Sequence, residues 1–252
     1  MTEHIKTTTQ DRILTIMINR PERKNALTQA MYGAMADAIK DANSDKGVRA
    51  IVITGNGDLF TAGNDLTDFA AGMEEGEPPV QRFLNTIRDA EKTIIAAVNG
   101  PAIGVGLTML LHCDIAYAAE TADFRAPFTA LGLVPEAGSS MLLPLTVGNS
   151  MANEILLAGR ALSAEEALSC GLVSRVLPAG KVVEAAMKCA GKIAASAPQA
   201  TRLAKTLIRH NRDAVAAQMQ AEGKIFSAQL KSPEFAEAAA AFMQKRAPVF
   251  ED

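Results

Sequence analysis

The sequence predicts an α/β fold that ends in an all-helical segment. Two apolar runs rich in β-branched residues, 48–57 and 93–100, have the length and composition of buried strands. Amphipathic segments that suit helices alternate with such strands, and from Lys181 onward the pattern is helical and rich in alanine. Right-handed β–α crossovers would bury these strands against the helices.

The elements before residue 93 follow from local patterns. Residues 12–19 (RILTIMIN) alternate and are rich in β-formers, which predicts a strand. Thr28 suits the N-cap of the helix that follows. Residues 63–73 resemble a short helix start, and the acidic, Pro- and Gly-rich residues 72–80 predict a mobile surface loop. QRFLNTIRDAEK (81–92) is amphipathic and predicts a helix.

The elements after residue 100 are shorter. Residues 101–113 predict a turn followed by a helix, and residues 114–127 predict two short strands. Residues 139–159 and 163–170 look helical, and Ser163 with Glu166 forms a capping-box pattern in the second of them. The strands therefore come in pairs, each pair followed by a helix, and SRVLP adds one short strand before the helical tail.

Composition excludes several classes of function. The 252 residues suit one large domain or a domain with an appendage, and 48% of them are hydrophobic. A net charge of -3 and the absence of Trp argue against nucleic acid as a partner. No apolar run reaches the length of a membrane span, and the polar N-terminus lacks a signal-peptide core, so we expect a cytoplasmic protein. The three cysteines and three histidines are not spaced as metal ligands.

Two glycine-bearing turns stand out, at 59–66 (LFTAGNDL) and 98–109 (VNGPAIGVGLTM). Each follows a predicted strand and opens a helix, where unpaired backbone N–H groups attract negative charge. The second turn lacks the third glycine of a dinucleotide-binding loop, because Met109 stands in its place. A purely structural role as tight turns remains open for both.

Glu136 is the one acidic residue in the apolar run 124–145. Because Pro135 precedes it, the pair could simply open a helix, where the helix dipole favours a carboxylate. Alternatively, a carboxylate beside two converging backbone N–H groups can remove a proton next to a carbonyl while the N–H groups stabilise the resulting oxyanion.

Five segments together resemble the crotonase (enoyl-CoA hydratase/isomerase) superfamily: RPERKNAL, FTAGNDLTDF, VNGPAIGVGLTMLLHCDIAYA, APFTALGLVPEAGSSMLLP and GRALSAEEALSCGLVSRVLP. The resemblance covers about residues 10–250. It implies a spiral of ββα units with the active site in residues 1–194, and a helical oligomerisation region in residues 195–252. It also implies a homotrimer or a dimer of trimers.

The resemblance assigns roles by position. The oxyanion donors would be the backbone N–H groups of Asn64 and Val105, and Val105 departs from the glycine that is usual there. The remaining positions are implied to bind the acyl-CoA or line its pocket: Ala26, Ala62, Gly63, Asp65, Leu66, Gly104, Phe128, Leu133, Phe242 and Lys245. Lys245 could otherwise be an ordinary solvated charge.

The two glutamates that hydratases of this superfamily use are replaced here by Thr108 and Phe128. Neither side chain can serve as a general acid or base. Glu136 occupies the position of the catalytic glutamate in the Δ3-Δ2-enoyl-CoA isomerase branch, so the resemblance implies such an isomerase, a type of enzyme used in fatty acid β-oxidation. The CoA thioester is then the substrate, and no metal or redox cofactor is expected. Another crotonase reaction, including hydration, and a non-catalytic acyl-CoA-binding scaffold remain as alternatives.

Overall fold

The fold is built on two β-sheets covered by helices. The computed structural model describes residues 2–65, 67–68 and 76–250. The strands in this part of the chain are β1 (Ile5–Gln10), β2 (Ile13–Ile18), β3 (Ala50–Gly55), β4 (Thr93–Val98), β5 (Ala102–Ile103), β6 (Ile115–Ala119), β7 (Asp123–Arg125), β8 (Leu162–Ser163) and β9 (Arg175–Leu177).

The larger sheet has six strands in the order β1-β2-β3-β4-β6-β9, and the smaller has the order β5-β7-β8. From β2 to β9 the larger sheet is parallel, whereas β1 and β2 form an antiparallel pair. Every residue of β3 and β4 is buried, as expected for central parallel strands that are covered on both faces. These are the two runs that the sequence marks as buried strands.

The helices whose ends lie within the described residues are α1 (Gln29–Ser44), α2 (Pro79–Arg88), α3 (Val105–Thr108), α4 (Ser139–Val147), α5 (Asn149–Leu156), α6 (Ala164–Ser169), α7 (Val182–Ala195), α8 (Pro198–Ile208), α9 (Arg212–Gln229) and α10 (Pro233–Gln244). The Thr28 side chain caps α1 by accepting a hydrogen bond from the Met31 amide. The capping box predicted for Ser163 and Glu166 is present at the start of α6.

The predicted fold class is confirmed, with three local differences. The polar N-terminal segment, for which the sequence suggests no element, forms the edge strand β1, in which only Ile5 is buried. The helix predicted for residues 139–159 is wrong as one element, because Gly148 separates α4 from α5 with a φ of 82°. Most of the predicted helix start at 63–73 and the first part of the predicted loop at 72–80 lie outside the described residues.

Several of the helices hold the elements of the site in place. Helix α1 packs against α2, and α7 packs against strands of the larger sheet. Helix α9 lies against α4, and α10 contacts the 3-10 turn at Thr129–Leu131. No helix in the described part of the chain combines the length and apolar character that crossing a membrane requires.

Candidate active site

The two glycine-bearing turns are in direct contact. The Ile103 amide donates to the Thr61 carbonyl at 3.0 Å, which joins the turns side by side. A Cβ atom on Gly63 would lie 2.8 Å from the Ile103 carbonyl oxygen, and Gly63 also has a φ of 90°. Both observations require glycine at this position. Gly63 and Gly104 therefore lie next to each other, and the residues that follow them, Asn64 and Val105, begin at neighbouring positions in the fold.

The backbone conformation at the second turn leaves the N–H group of Val105 free. Gly104 has φ 58° and ψ −119°, which glycine adopts readily and other residues do not. Val105 is then the first residue of α3, where an N–H group has no partner within the helix. Within the described residues, no hydrogen bond is formed by the amide of Val105 or of Asn64. The unusual backbone falls on Gly104, so a β-branched side chain fits at Val105.

Glu136 lies beside the helix that Val105 begins. The hydroxyl of Thr108, three residues after Val105 and fully buried, donates to Oε1 of Glu136 at 2.5 Å. Glu136 and Asn64 also line one cavity of about 70 Å³. The other lining residues are Pro78, Val80, Gln81, Leu84, Ala137, Met219, Gly223, Phe226, Ser227 and Leu230. The carboxyl group and the first glycine turn thus meet at one small and largely apolar space.

Burial raises the pKa of Glu136 to about 7. The hydrogen bond from Thr108 opposes this rise, and the negative charge of Glu222 adds to it. A carboxyl group with a pKa near neutrality exchanges a proton readily in both directions at physiological pH, which is what general acid–base catalysis requires.

The turn that carries Glu136 precedes helix α4, which begins only at Ser139. The alternative in which Pro135 and Glu136 form the first turn of a helix is therefore wrong. Ala137 has a left-handed backbone with a φ of 59°, and its carbonyl oxygen lies 2.7 Å from Nε2 of His112. Burial lowers the pKa of His112 to about 4, so the imidazole is neutral at pH 7 and Nε2–H donates this bond.

A buried phenol supports the other side of the site. The hydroxyl of Tyr32, on α1, donates to the side-chain oxygen of Asn64. Tyr32 is fully buried, and this burial holds the pKa of the phenol well above its ordinary value. The negative charges of Glu136 and Asp68 raise it further. The phenol is therefore a neutral donor, and its hydrogen bond fixes the orientation of the Asn64 side chain at the cavity.

Four of the predicted acyl-CoA-binding residues lie on two adjacent loops. The Ala62 amide donates to the Lys24 carbonyl at 3.0 Å, and the Gly63 carbonyl accepts from the amide of Leu27, the neighbour of Ala26. Asp65 pairs with Arg20 at 2.7 Å, so its carboxylate already has a partner within the chain. The fifth loop residue predicted, Leu66, lies outside the described residues.

The remaining predicted residues do not reach the cavity in a single chain. Phe128 and Leu133 are buried in the core, and neither of them lines it. Phe242 and Lys245 lie at the C-terminal end of α10, where Phe242 is 62% exposed and Lys245 has a left-handed backbone. The structure therefore brings Asn64 and Glu136 to one cavity, places Val105 on the short helix whose Thr108 binds Glu136, and leaves these four residues apart from the cavity.

Sequence reasoning missed several residues that surround Glu136. From the sequence, Thr108 is only a position at which a catalytic glutamate is missing. In the structure its hydroxyl donates a hydrogen bond to the carboxyl group of Glu136. Tyr32 and His112 gave no local signal beyond their positions in apolar segments. Glu222 offered one, because Val215, Met219 and Glu222 share a helical face and a glutamate on an apolar stripe is unusual.

Comparisons with known proteins identify the family of the chain. The sequence model described as enoyl-CoA hydratase/isomerase matches residues 8–252. A 2,3-dehydroadipyl-CoA hydratase of Escherichia coli (strain K12) is 35% identical over 247 residues, which cover 96% of each chain. Enoyl-CoA delta isomerase 2 of Rattus norvegicus is 40% identical over 214 residues, covering 82% of this chain and 54% of that protein. The chain thus spans about half the length of the isomerase.

A crystal structure of an enoyl-CoA hydratase/isomerase from Pseudoalteromonas atlantica T6c superposes with a TM-score of 0.95. It is 53% identical in sequence, and the match covers 99% of this chain and 100% of the other. The sequence match and the structural match therefore point to the same family. The chain belongs to the enoyl-CoA hydratase/isomerase family and is an acyl-CoA-processing enzyme of the crotonase type.

Proposed function

We propose that the protein is a Δ3-Δ2-enoyl-CoA isomerase in which Glu136 carries the proton. The observation that supports this most directly is the hydrogen bond from Thr108 to Glu136. Thr108 lies on the helix that opens at Val105, so the bond holds one carboxyl group beside a free backbone N–H. In the same cavity, Asn64 brings the first glycine-bearing turn close to that carboxyl group.

In the proposed reaction, the thioester oxygen accepts hydrogen bonds from the N–H groups of Asn64 and Val105. The carboxylate of Glu136 removes a proton from C2 of a 3-enoyl-CoA, and the electrons move into a dienolate whose negative charge these N–H groups stabilise. The protonated Glu136 then returns the proton to C4, and the double bond comes to lie between C2 and C3. The net change needs no metal or redox cofactor, because one proton leaves and returns.

Isomerisation is favoured over hydration by the number of carboxyl groups at the cavity. Hydration requires a base for the attacking water and an acid for the carbon that receives a proton, and the resemblance places these two roles at Thr108 and Phe128. Thr108 donates to Glu136, and Phe128 is buried in the core. Glu136 is the one carboxyl group among the described residues that line the cavity, and one carboxyl group suffices for a proton shuttle.

The test uses two substrates and two variants. Wild-type protein should convert 3-hexenoyl-CoA to the conjugated 2-enoyl product, seen as rising absorbance, and should leave crotonyl-CoA largely unhydrated. Glu136→Gln should lower kcat for isomerisation by about 10²- to 10⁴-fold, the usual contribution of a general base, while CoA-ester binding is retained. Glu165→Gln, an exposed glutamate on α6, serves as the control and should keep full activity.

Other outcomes would point to the alternatives. Loss of crotonyl-CoA absorbance without isomerisation would indicate a hydratase. Binding of both esters without turnover would indicate a non-catalytic scaffold. Isomerase activity that survives in Glu136→Gln would refute the role of this carboxyl group.

We also propose that the C-terminal helices form the contacts of a homotrimer or a dimer of trimers. Apolar side chains at the end of α8 and of α10 lie in water in the single chain: Leu207 is 76% exposed, Ile208 77% and Met243 74%. Exposed apolar side chains of this size are typical of a surface that another subunit covers. Light scattering after size-exclusion chromatography should give three or six times the mass of 26.6 kDa, and a monomer would contradict the proposal.

A further inference from the structure

Helix α9 reaches the turn that carries Glu136 with a single buried carboxylate. Oε2 of Glu222 accepts a hydrogen bond from the Gly138 amide at 2.5 Å, and Oε1 accepts one from the Ser140 amide at 3.0 Å. Oε1 also accepts from the hydroxyl of Ser140, which in turn accepts from the side-chain amide of Gln218 at 2.8 Å. Glu222 is only 5% exposed, so this carboxylate faces the turn and not water.

The position of these donors explains why a carboxylate fits here. Gly138 is the N-cap of α4 and Ser140 is its second residue, so their N–H groups have no partner within the helix. Gly138 has no side chain that could cap the helix. Glu222 supplies the cap from another helix, with a negative charge at the end of the helix dipole that favours it.

The turn needs this support because its backbone is strained. Ala137 adopts a left-handed conformation, which is unfavourable for a residue with a Cβ atom. Such conformations persist where the surroundings fix them. Two groups do so here: Nε2–H of His112 holds the carbonyl of Ala137, and Glu222 holds the amide of Gly138. Glu136 is the residue immediately before this clamped pair.

We propose that Glu222 is a positioning residue, whose carboxylate fixes the turn that carries Glu136 and thereby sets where that proton carrier stands. The inference rests on the proposed function of Glu136. The groups that face Glu136 are the hydroxyl of Thr108 on α3, the phenol of Tyr32 on α1 and the carboxylate of Glu222 on α9. His112, behind the turn, is neutral at pH 7. Glu222 is thus the one negative charge among these groups.

The decisive variant is Glu222→Gln, which keeps the shape of the side chain. The Gly138 and Ser140 amides donate to different oxygens of the carboxylate, so in the same position glutamine would replace one of these acceptors by an NH₂ group that faces an N–H donor. We expect kcat for isomerisation to fall by about 10- to 100-fold, since small displacements of a catalytic group have effects of this size. The KM should change little, and hydrogen exchange at the amides of Gly138 and Ser140 should accelerate.

A second readout separates positioning from mere structural damage. Removing the charge of Glu222 should lower the pKa of Glu136, because that charge helps to raise it. The pH at which isomerase activity falls on the acid side should therefore move to lower pH. A general loss of folded protein would reduce activity at every pH without moving the acid side of the pH–activity profile. In Glu222→Asp the charge remains. We therefore expect a reduced kcat, while the pH at which activity falls on the acid side stays near its wild-type value.

The pKa of Glu136 can also be measured directly, by ¹³C NMR titration of protein labelled at the glutamate carboxyl carbons. The signal that is missing in Glu136→Gln assigns the resonance of Glu136. This measurement decides the role of Glu222 even if the wild type proves inactive as an isomerase, so failure of the proposed function is seen separately. An unchanged pKa of Glu136 and unchanged exchange at Gly138 in Glu222→Gln would overturn the inference.

If Glu222→Gln does not fold, Ser140→Ala provides the test, because it removes one donor to Glu222 and retains the carboxylate. Its kcat should fall roughly two- to fivefold, less than the full loss of a hydrogen bond to a charged group would give, because Glu222 keeps the N–H donors of Gly138 and Ser140. Wild-type kcat together with wild-type exchange at Gly138 in this variant would overturn the inference.

Discussion

Replacing Glu136 by glutamine should stabilise the fold at neutral and alkaline pH while it removes the proposed proton carrier. Burial raises the pKa of this carboxyl group from 4.5 to about 7. The folded state therefore holds the proton more tightly than the unfolded chain, and ionisation of Glu136 favours unfolding. At about 1.4 kcal/mol per pKa unit, the raised pKa of Glu136 destabilises the folded state by roughly 3 kcal/mol above pH 7. This is an upper limit, because Glu136 is half-buried and keeps some contact with water.

The sign of the effect gives it a distinctive pH profile. Below pH 4.5 the carboxyl group is protonated in both states, and the wild type pays no penalty for it. Between pH 4.5 and about 7 the penalty grows, and above that range it stays constant. Glutamine is neutral throughout, and its carbonyl oxygen can still accept the hydrogen bond from Thr108. The stability gain of Glu136→Gln should thus be small at pH 5 and full at pH 8.

Thermal unfolding of both proteins at pH 5, 6, 7 and 8, at one protein concentration and without CoA esters, measures this difference. The gain at pH 8 should reach roughly 5–10 °C in Tm for a chain of this size. Other titrating groups are shared by the two proteins and cancel in the comparison. Glu165→Gln, which removes an exposed carboxylate, should show no such gain. A Tm difference that is the same at pH 5 and pH 8 would refute the reasoning.

Two further predictions concern the surroundings of the site, and a third concerns a buried ion pair elsewhere in the fold. Thr108→Val removes a hydrogen bond that lowers the pKa of Glu136, so the acid limb of isomerase activity should move to higher pH, which a pH–rate profile would show. Gly104→Ala forces a Cβ atom onto a backbone with φ 58° and ψ −119°; we expect it to lose about 1–3 kcal/mol of stability in chemical unfolding and most of its activity. Gly180→Ala, where a Cβ atom meets nothing within 4 Å, is the matched control. Lys205→Met should lower the free energy of unfolding by about 1–3 kcal/mol, because the buried lysine bonds an aspartate at 2.8 Å; unchanged stability would contradict this.

The parts of the fold that depend on local pattern were predictable. Strands β3 and β4 are apolar throughout because both faces are covered, and the capping box of Ser163 and Glu166 needs only residues three apart. Strand β1 escaped prediction because five of its six residues are exposed, which leaves no apolar alternation to detect. Its run of three threonines was the available signal, since β-branched residues favour strands.

The candidate site was predictable only in part, because its key contacts join distant residues. Glu136 attracted attention as a lone charge in an apolar run, and the glycine turns as irregular backbone between elements. The hydrogen bond between Thr108 and Glu136 spans 28 residues, and that between Gly138 and Glu222 spans 84. No local pattern contains such pairings. They follow from the packing of α3 and α9 around one turn.

The contact between the two glycine turns has a consequence for how the site tolerates change. At Gly63 and Gly104 the backbone itself excludes other residues, whereas the proposed donors at Asn64 and Val105 are main-chain groups whose side chains are not required for the bond. A saturation library scored for growth on an acyl-CoA-dependent carbon source should therefore be nearly intolerant at positions 63 and 104. Position 105, whose side chain is buried in the core, should accept other apolar residues of similar size, because the proposed bond uses only its main chain.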